Sequence, residues 1–89
     1  MANGLRMREQ TAKTPVHAAI IEAVTVANGY AALASALNKH DPKSKISSQR
    51  VYNWVNRDFK APAELVLSIE AVTGVGRTCL RPDIYPVVG

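Results

Sequence analysis

Two primary amides, Gln49 and Asn53, stand four residues apart in the stretch SSQRVYNWVNR, residues 47–57. Side chains at this spacing lie on one face of a helix. An amide can form two hydrogen bonds with an adenine edge, and an arginine can do the same with guanine or hold a phosphate. Because Arg50 and Arg57 flank the two amides, this stretch has the residue types for contacting nucleic-acid bases without any covalent chemistry.

No other residues have a spacing typical of catalysis or metal binding. His17 and His40 have no cysteine or acidic partner at metal-ligand spacing. Glu64 and Glu70 are six residues apart and would lie on different faces of a helix. The sequence has no Ser-His-Asp or Cys-His arrangement and no phosphate-binding glycine loop. We therefore expect no enzyme activity, no metal, no cofactor and no small-molecule ligand.

Positive charge is concentrated in two parts of the chain. The 89 residues carry a formal net charge of +4, and between residues 39 and 60 the cations outnumber the acids by six to two. A second cluster lies in residues 1–13, where Arg6, Arg8 and Lys13 stand against Glu9. Such clusters favour a polyanionic partner, although many ordinary domains also have a basic face.

The single cysteine, Cys79, cannot form a disulfide within the chain, which favours a reducing compartment. Its context between Thr78 and Leu80 predicts a small buried residue. No stretch reaches the ~18 continuous apolar residues of a membrane helix, and the first residues contain no apolar signal segment. We therefore expect a cytoplasmic protein without a membrane partner.

Helix start and stop signals predict an all-α fold. Thr14 followed by Pro15 predicts the start of a first helix, and Asn28-Gly29 predicts its end. A second helix is expected from Tyr30 through the alanine-rich YAALASALN. Beyond it, Pro42 in KHDPKSK predicts a basic loop.

The second half of the chain has its own signals. Ser47 is a suitable N-cap for a third helix, from Ser48 to about Asn56. A fourth helix is expected in APAELVLSIEAVTG, ended by Gly74, and a short fifth before Pro82. We predict a flexible basic arm over residues 1–13 and, over residues 14–89, one compact bundle of four to five short helices with an extended C-terminal tail.

The third helix has two dissimilar faces. At about 100° per residue, Val51, Trp54 and Val55 fall together and are expected in the core. Gln49 and Asn53 fall on the opposite side. A helix face that meets only solvent would more often carry Glu and Lys, so the amide face favours contact with a partner.

The second and third helices have the residues of a helix-turn-helix. Ala34 provides the small residue needed where the two helices meet. The apolar residues expected to hold the pair together are Leu33, Leu37, Ile46, Val51 and Trp54.

The segment GYAALASALN…ISSQRVYNWV resembles the helix-turn-helix of Cro/CI-type phage repressors. The following APAELVLSIEAVTGVGRTCLRPDIYP is similar to the YdaS-like branch of prophage regulators, so that the resemblance covers residues 16–86. It implies a lambda-repressor-like domain that binds operator DNA on the nucleoid, often as a dimer, and acts as a transcriptional regulator, here expected to be a repressor. Some relatives are instead described as halves of toxin–antitoxin-like modules.

Carried over by position, the resemblance implies two sets of DNA contacts. The residues expected to face bases are Ser47, Ser48, Gln49 and Asn53. The residues expected to contact the DNA backbone are Tyr30, Arg50, Tyr52 and Arg57.

One departure from the family pattern lies between the second and third helices. Asn38 takes the usual glycine position, and residues 39–45 intervene before Ile46. We expect the second helix to extend by about one turn and the loop to bulge outward, bringing Lys39, Lys43 and Lys45 near phosphates. A solvated loop away from DNA is the alternative.

The fourth helix is apolar on two sides, which usually means two neighbours. Its expected core face is Leu65, Ile69 and Val72, and its second strip is Ala63, Leu67 and Ala71. Either the tail, with Ile84 and Tyr85, folds back over this second strip, or a second subunit covers it. We expect a homodimer through the fourth helix and the tail.

Two other functions compete with DNA binding. A protein-interaction component, such as an antitoxin, toxin or adaptor, would expose apolar residues more freely than the polar third helix does. An RNA-binding protein would need aromatic residues for base stacking, and only 6% of this chain is aromatic.

Overall fold

The computed structural model describes residues 12–86, and over this range the chain forms helices and turns and no strand. The elements are α1 (Pro15–Ala27), α2 (Tyr30–His40), α3 (Ser48–Asn53), a π-helical turn (Trp54–Asp58), a 3-10 turn (Ala63–Leu65), α4 (Val66–Thr73) and α5 (Arg77–Leu80). The predicted all-α fold is confirmed. The predicted basic arm lies, except for its last two residues, outside the described range.

The predicted boundaries of α1 are confirmed in detail. The Thr14 side chain accepts a hydrogen bond from the His17 N–H at 3.0 Å, and Pro15 occupies the first turn. Asn28 ends the helix in the left-handed region, with φ 76°. Gly29, with φ 125°, then turns the chain directly into α2. A positive φ is easily adopted by glycine and tolerated by asparagine, so this pair makes a tight corner.

The third helix changes its winding before it ends. Ser47 caps it by accepting from the Arg50 N–H at 3.2 Å. After Asn53 the helix continues as the π-helical turn to Asp58, and Phe59 ends it with φ 60°. The sequence predicted one helix to about Asn56; the structure divides it into an α part and a π part.

The second half of the fold contains α4 and α5. A 3-10 turn leads into α4, which Gly74 ends in the left-handed region with φ 81°. The short α5 precedes Pro82, as predicted. The hydrophobic core draws on all five helices of the described range and includes every apolar residue expected to hold α2 and α3 together. These core residues include Ile20, Val24, Leu33, Ala34, Leu37, Ile46, Val51, Trp54, Val55, Ile69 and Leu80.

Two predictions for the C-terminal part are wrong. Residues 82–85 are not extended, because the Ile84 and Tyr85 N–H groups both donate to the Arg81 carbonyl and close a turn. Cys79 is exposed rather than buried. The reason is that α5 is a single turn, which directs Leu80 into the core and leaves its neighbour outside.

Within residues 12–86, no single helix is long and apolar enough to cross a membrane. Taken together, α1 and α2 reach the required length and composition, but they meet at an angle of 83°.

Candidate nucleic-acid interface

The core contacts of α3 determine which of its faces is outside. Val51 and Val55 are fully buried and Trp54 nearly so, as the helical wheel predicted. Because these side chains lie on one side of the helix, Ser48, Gln49 and Arg50 are exposed and Asn53 is half-buried. The predicted amide face is therefore on the outside of the protein.

The two amides are joined on this surface. The Gln49 Nε2 donates to the Asn53 Oδ1 at 3.2 Å. This bond uses one donor of Gln49 and one acceptor lone pair of Asn53, and each amide keeps further hydrogen-bonding capacity for a partner. Ser48 lies exposed beside them. Ser47, also expected to face bases, uses its hydroxyl to cap the helix.

Tyr30 and Tyr52 form one flank of the amide face. Their rings pack edge to face, with centroids 5.3 Å apart, and Tyr52 is 46% exposed. The Tyr30 hydroxyl accepts a hydrogen bond from the Asn56 Nδ2 at 3.1 Å. This bond joins the first residue of α2 to the π-helical turn that continues α3. The helix α3 and this turn, residues 48–58, are together called the α3 segment.

The arginines on the other flank differ in their surroundings. Arg57 lies 3.2 Å from Asp58 in an exposed ion pair. Arg50 is exposed, and within residues 12–86 it forms no ion pair. Arg50 is consequently the more available of the two for a phosphate or a guanine.

A cleft of about 400 Å³ separates the starts of α2 and α3. It is lined by Asn28, Gly29, Tyr30, Ala31, Ala32, Ser48, Gln49 and Tyr52. The first N–H groups of any helix have no intrahelical acceptor and carry the positive end of the helix dipole, and at the start of α2 no side chain caps them. The cleft thus places unpaired backbone donors next to the amide face.

The loop between α2 and α3 is closed at its base by Asn38. The Asn38 Oδ1 accepts from the Ile46 N–H at 2.6 Å, and its Nδ2 donates to the Ile46 carbonyl at 2.8 Å. As expected, α2 continues past Asn38, but only to His40. Asp41 then forms a turn in which its carbonyl accepts from the Ser44 N–H and its carboxylate from the Lys43 N–H.

The loop lysines lie outside this closed base. Lys39, Lys43 and Lys45 are all exposed, and none of them has an ion-pair partner within the described range. Lys45 adopts φ 52° just before Ile46. These three lysines together with Arg50 are named here the basic surface.

Sequence patterns did not indicate the structural role of two polar residues, one at the loop between α2 and α3 and one that contacts the π-helical turn after α3. Asn38 was assigned only the usual glycine position, and its paired bonds to Ile46 join residues eight apart. His17 was considered only as a metal ligand, yet it is buried and contacts the Val55 carbonyl. Among the described residues no group of three or more His, Cys, Asp or Glu could hold a metal ion.

The model of one protein family, described as bacterial toxin YdaS, matches residues 20–88 of this chain. The matched segment contains the amide face, the cleft, the basic surface and α4. No curated protein and no solved structure matches the chain.

Proposed function

The chain belongs to the bacterial YdaS toxin family, and from that premise we propose that it is a sequence-specific double-stranded DNA-binding regulator of Cro/CI type from a prophage module. In this proposal α2 and α3 form a helix-turn-helix, and α3 enters the major groove. The protein represses transcription in the bacterial cytoplasm by occupying a promoter. Its action is steric, so it needs no catalytic residue and no cofactor.

The outer face of α3 is the observation that carries this proposal. Gln49 and Asn53 are bonded to each other at 3.2 Å, which limits the conformations of both amides before any partner binds. Hydrogen bonds from ordered amides to base edges are stronger candidates for specificity than contacts from mobile side chains, because less conformational entropy is lost on binding. Each good bidentate contact discriminates between bases by about 1–3 kcal/mol.

The surroundings of this face supply contacts to the DNA backbone. The cleft at the uncapped start of α2 suits a phosphate oxygen, since helix N-termini bind anions. Tyr30 and Tyr52 line that cleft, and Arg50 and the loop lysines add positive charge that no ion pair within the described range neutralises. These contacts would provide affinity that does not depend on sequence.

The exposed side of α4 and of the 3-10 turn before it supports a proposal for the assembly. Ala63, Leu67 and Ala71 are all exposed, and Leu67 is 47% exposed. Within the described residues the tail leaves this strip exposed, since Ile84 is itself 41% exposed and Tyr85 packs against the core. We propose a homodimer in which a second copy covers the strip, placing two α3 helices in successive major grooves about 34 Å apart.

Sedimentation velocity at micromolar concentration tests this assembly. We expect a dimer of the 9.6 kDa chain for the wild type and a monomer for Leu67→Lys. A wild type that stays monomeric both alone and with operator DNA would refute the homodimer.

Fluorescence anisotropy with DNA from upstream of the gene and with scrambled DNA tests the function. We expect the native DNA to bind at least ~10³-fold more tightly at physiological salt. Gln49→Ala should lose much of this preference while keeping its weak affinity for scrambled DNA. Thr25→Ala, on the exposed side of α1, is the matched control and should behave as the wild type.

A protein-interaction role within the same module is the second candidate. It is favoured by the toxin description of the family and by the exposed apolar strip on α4. In that case the protein would copurify with a partner that Leu67→Lys releases, and the two DNAs would bind equally weakly. Such a result would replace the DNA-binding proposal.

A further inference from the structure

His17 of α1 is a buried polar side chain to which the proposed DNA contacts assign no role. Only 2% of it is exposed, and its Nδ1 accepts a hydrogen bond from the Lys13 N–H at 2.9 Å. Its Nε2 lies 2.7 Å from the Val55 carbonyl oxygen. Since a backbone N–H can only donate and a carbonyl oxygen can only accept, these neighbours select the Nε2–H tautomer.

Val55 needs this donor because the backbone N–H groups at the end of the π-helical turn do not reach its carbonyl. The N–H groups of Phe59 and Lys60 both donate to the Trp54 carbonyl, so neither closes a bond to the carbonyl of Val55. The Val55 residue is fully buried. A buried carbonyl at a helix end requires a partner from elsewhere in the fold, and His17 provides it from 38 residues away along the chain.

The same contact determines how the π-helical turn ends. The Phe59 ring packs against the His17 ring with centroids 4.8 Å apart, and the Lys13 ammonium lies 5.4 Å from the centre of the Phe59 ring. The residues just before α1, the imidazole and the residue that ends the π-helical turn are thus in contact at one place. On the opposite side the same turn is held by Asn56 and Tyr30.

We infer that His17 is a positioning residue for DNA recognition: its hydrogen bond to the Val55 carbonyl fixes the C-terminal turn of the α3 segment against α1, and with it the orientation of Asn53 and its neighbours. This inference rests on the proposed function. His17 itself touches no DNA. Its effect on base discrimination is transmitted through one backbone carbonyl, two residues beyond Asn53.

Two substitutions separate the two hydrogen bonds of the ring. The amide nitrogen of Gln corresponds in position to the imidazole Nε2, so His17→Gln keeps a donor for the Val55 carbonyl. The amide oxygen of Asn corresponds to Nδ1, so His17→Asn keeps the acceptor for the Lys13 N–H and loses the contact with Val55. Both variants remove the aromatic ring and place an amide in the core, so each is the control for the other.

The ratio of affinities for native and scrambled DNA is the decisive quantity. We expect His17→Asn to lower this ratio by about tenfold, the low end of one bidentate base contact, and His17→Gln to keep it. A general loss of stability would not change the ratio for molecules that are folded at the assay temperature. Equal ratios for the two variants would overturn the inference.

Nuclear magnetic resonance of the protein without DNA gives an independent test. Long-range 15N–1H spectra of the wild type should show the Nε2–H tautomer of His17, and an Nδ1–H tautomer would overturn the inference. Amide exchange over residues 54–60 should be faster in His17→Asn than in His17→Gln, and equal exchange would also overturn it. If the wild type does not prefer native DNA, the proposed function fails, but these two measurements still decide whether His17 holds the turn.

Discussion

The basic surface and the C-terminal part of the fold use the same kinds of cation in opposite ways. Lys39, Lys43, Lys45 and Arg50 are exposed and without ion pairs inside the described range. In the C-terminal part, Arg77 lies 2.8 Å from Glu70 and Arg81 lies 2.7 Å from Asp83. The first group keeps its charge unpaired within the described range, whereas the second forms ion pairs within the fold.

We expect the basic surface to contribute to DNA affinity and the C-terminal ion pairs to contribute to folding stability. Exposed cations gain little by forming surface pairs, but they release counterions when they meet a polyanion. Arg81 has only 12% of its side chain exposed and also donates to the Ala61 carbonyl at 2.9 Å. Substitutions in the basic surface should therefore change DNA affinity, and substitutions around Arg81 should change the free energy of unfolding.

Removing the three loop lysines should produce the largest change in the salt dependence of DNA binding. For the triple variant Lys39→Gln, Lys43→Gln, Lys45→Gln, we expect the slope of log affinity against log salt to fall by up to about three units, equivalent to about 10²-fold in affinity near 0.1 M salt. Salt titration of DNA binding measures this, with Arg77→Gln as the control that should leave the slope unchanged. An unchanged slope in the triple variant would mean that the loop is solvated away from DNA.

For the free energy of unfolding, the base of the basic loop should be the most sensitive position. Asn38→Ala removes both hydrogen bonds to Ile46, which is buried. Leaving the Ile46 N–H and carbonyl without partners should lower the free energy of unfolding by about 2–4 kcal/mol. Urea denaturation measures it, and Ser35→Ala on the exposed side of α2 is the control. A loss no larger than in that control would show that the loop closes without Asn38.

Local sequence signals predict the helix ends of this fold and the buried side of α3. Thr14 with Pro15, the Asn28-Gly29 pair, Ser47 and Gly74 mark helix ends that the structure confirms, because capping depends on residues within one turn. The buried side of α3 follows from periodicity for the same reason. The amide face was predicted by this route, and its placement on the outside is observed.

The features that the sequence did not predict depend on contacts between residues far apart in the chain. The π-helical turn is stabilised by His17 from α1, and no pattern within residues 47–57 indicates that contact. Cys79 was predicted buried because its neighbours are apolar, but the orientation of a single-turn helix is set by what packs against it. The C-terminal turn forms because Arg81, anchored on Ala61, presents its carbonyl to Ile84 and Tyr85.

Arg81→Gln should have the opposite effect to substitutions in the basic surface: it should lower stability and leave DNA binding unchanged. It leaves the carbonyl of the buried Ala61 without its donor, which should reduce the free energy of unfolding by about 1–2 kcal/mol. The preference for native over scrambled DNA should not change, since this residue lies outside the amide face and the basic surface. Urea denaturation measures the free energy of unfolding, and anisotropy on the same preparation measures the DNA preference. A lost DNA preference in a fully folded variant would show that Arg81 also affects DNA binding.

The smallest effect should appear only in acid, at Asp83. The hydrogen bond from Arg81 is the main cause that lowers the pKa of the Asp83 carboxyl from 3.8 to about 2. A carboxyl whose pKa is lower in the folded state contributes stability above its unfolded pKa of 3.8, and that contribution is lost as the pH falls through about 2. The melting temperature of the wild type should therefore exceed that of Asp83→Asn at pH 7, and the difference should shrink between pH 4 and pH 2. Because the two proteins differ only at residue 83, the difference between the two melting curves isolates Asp83. A difference that stays constant over this window would mean that the exposed ion pair contributes nothing to holding the C-terminal turn.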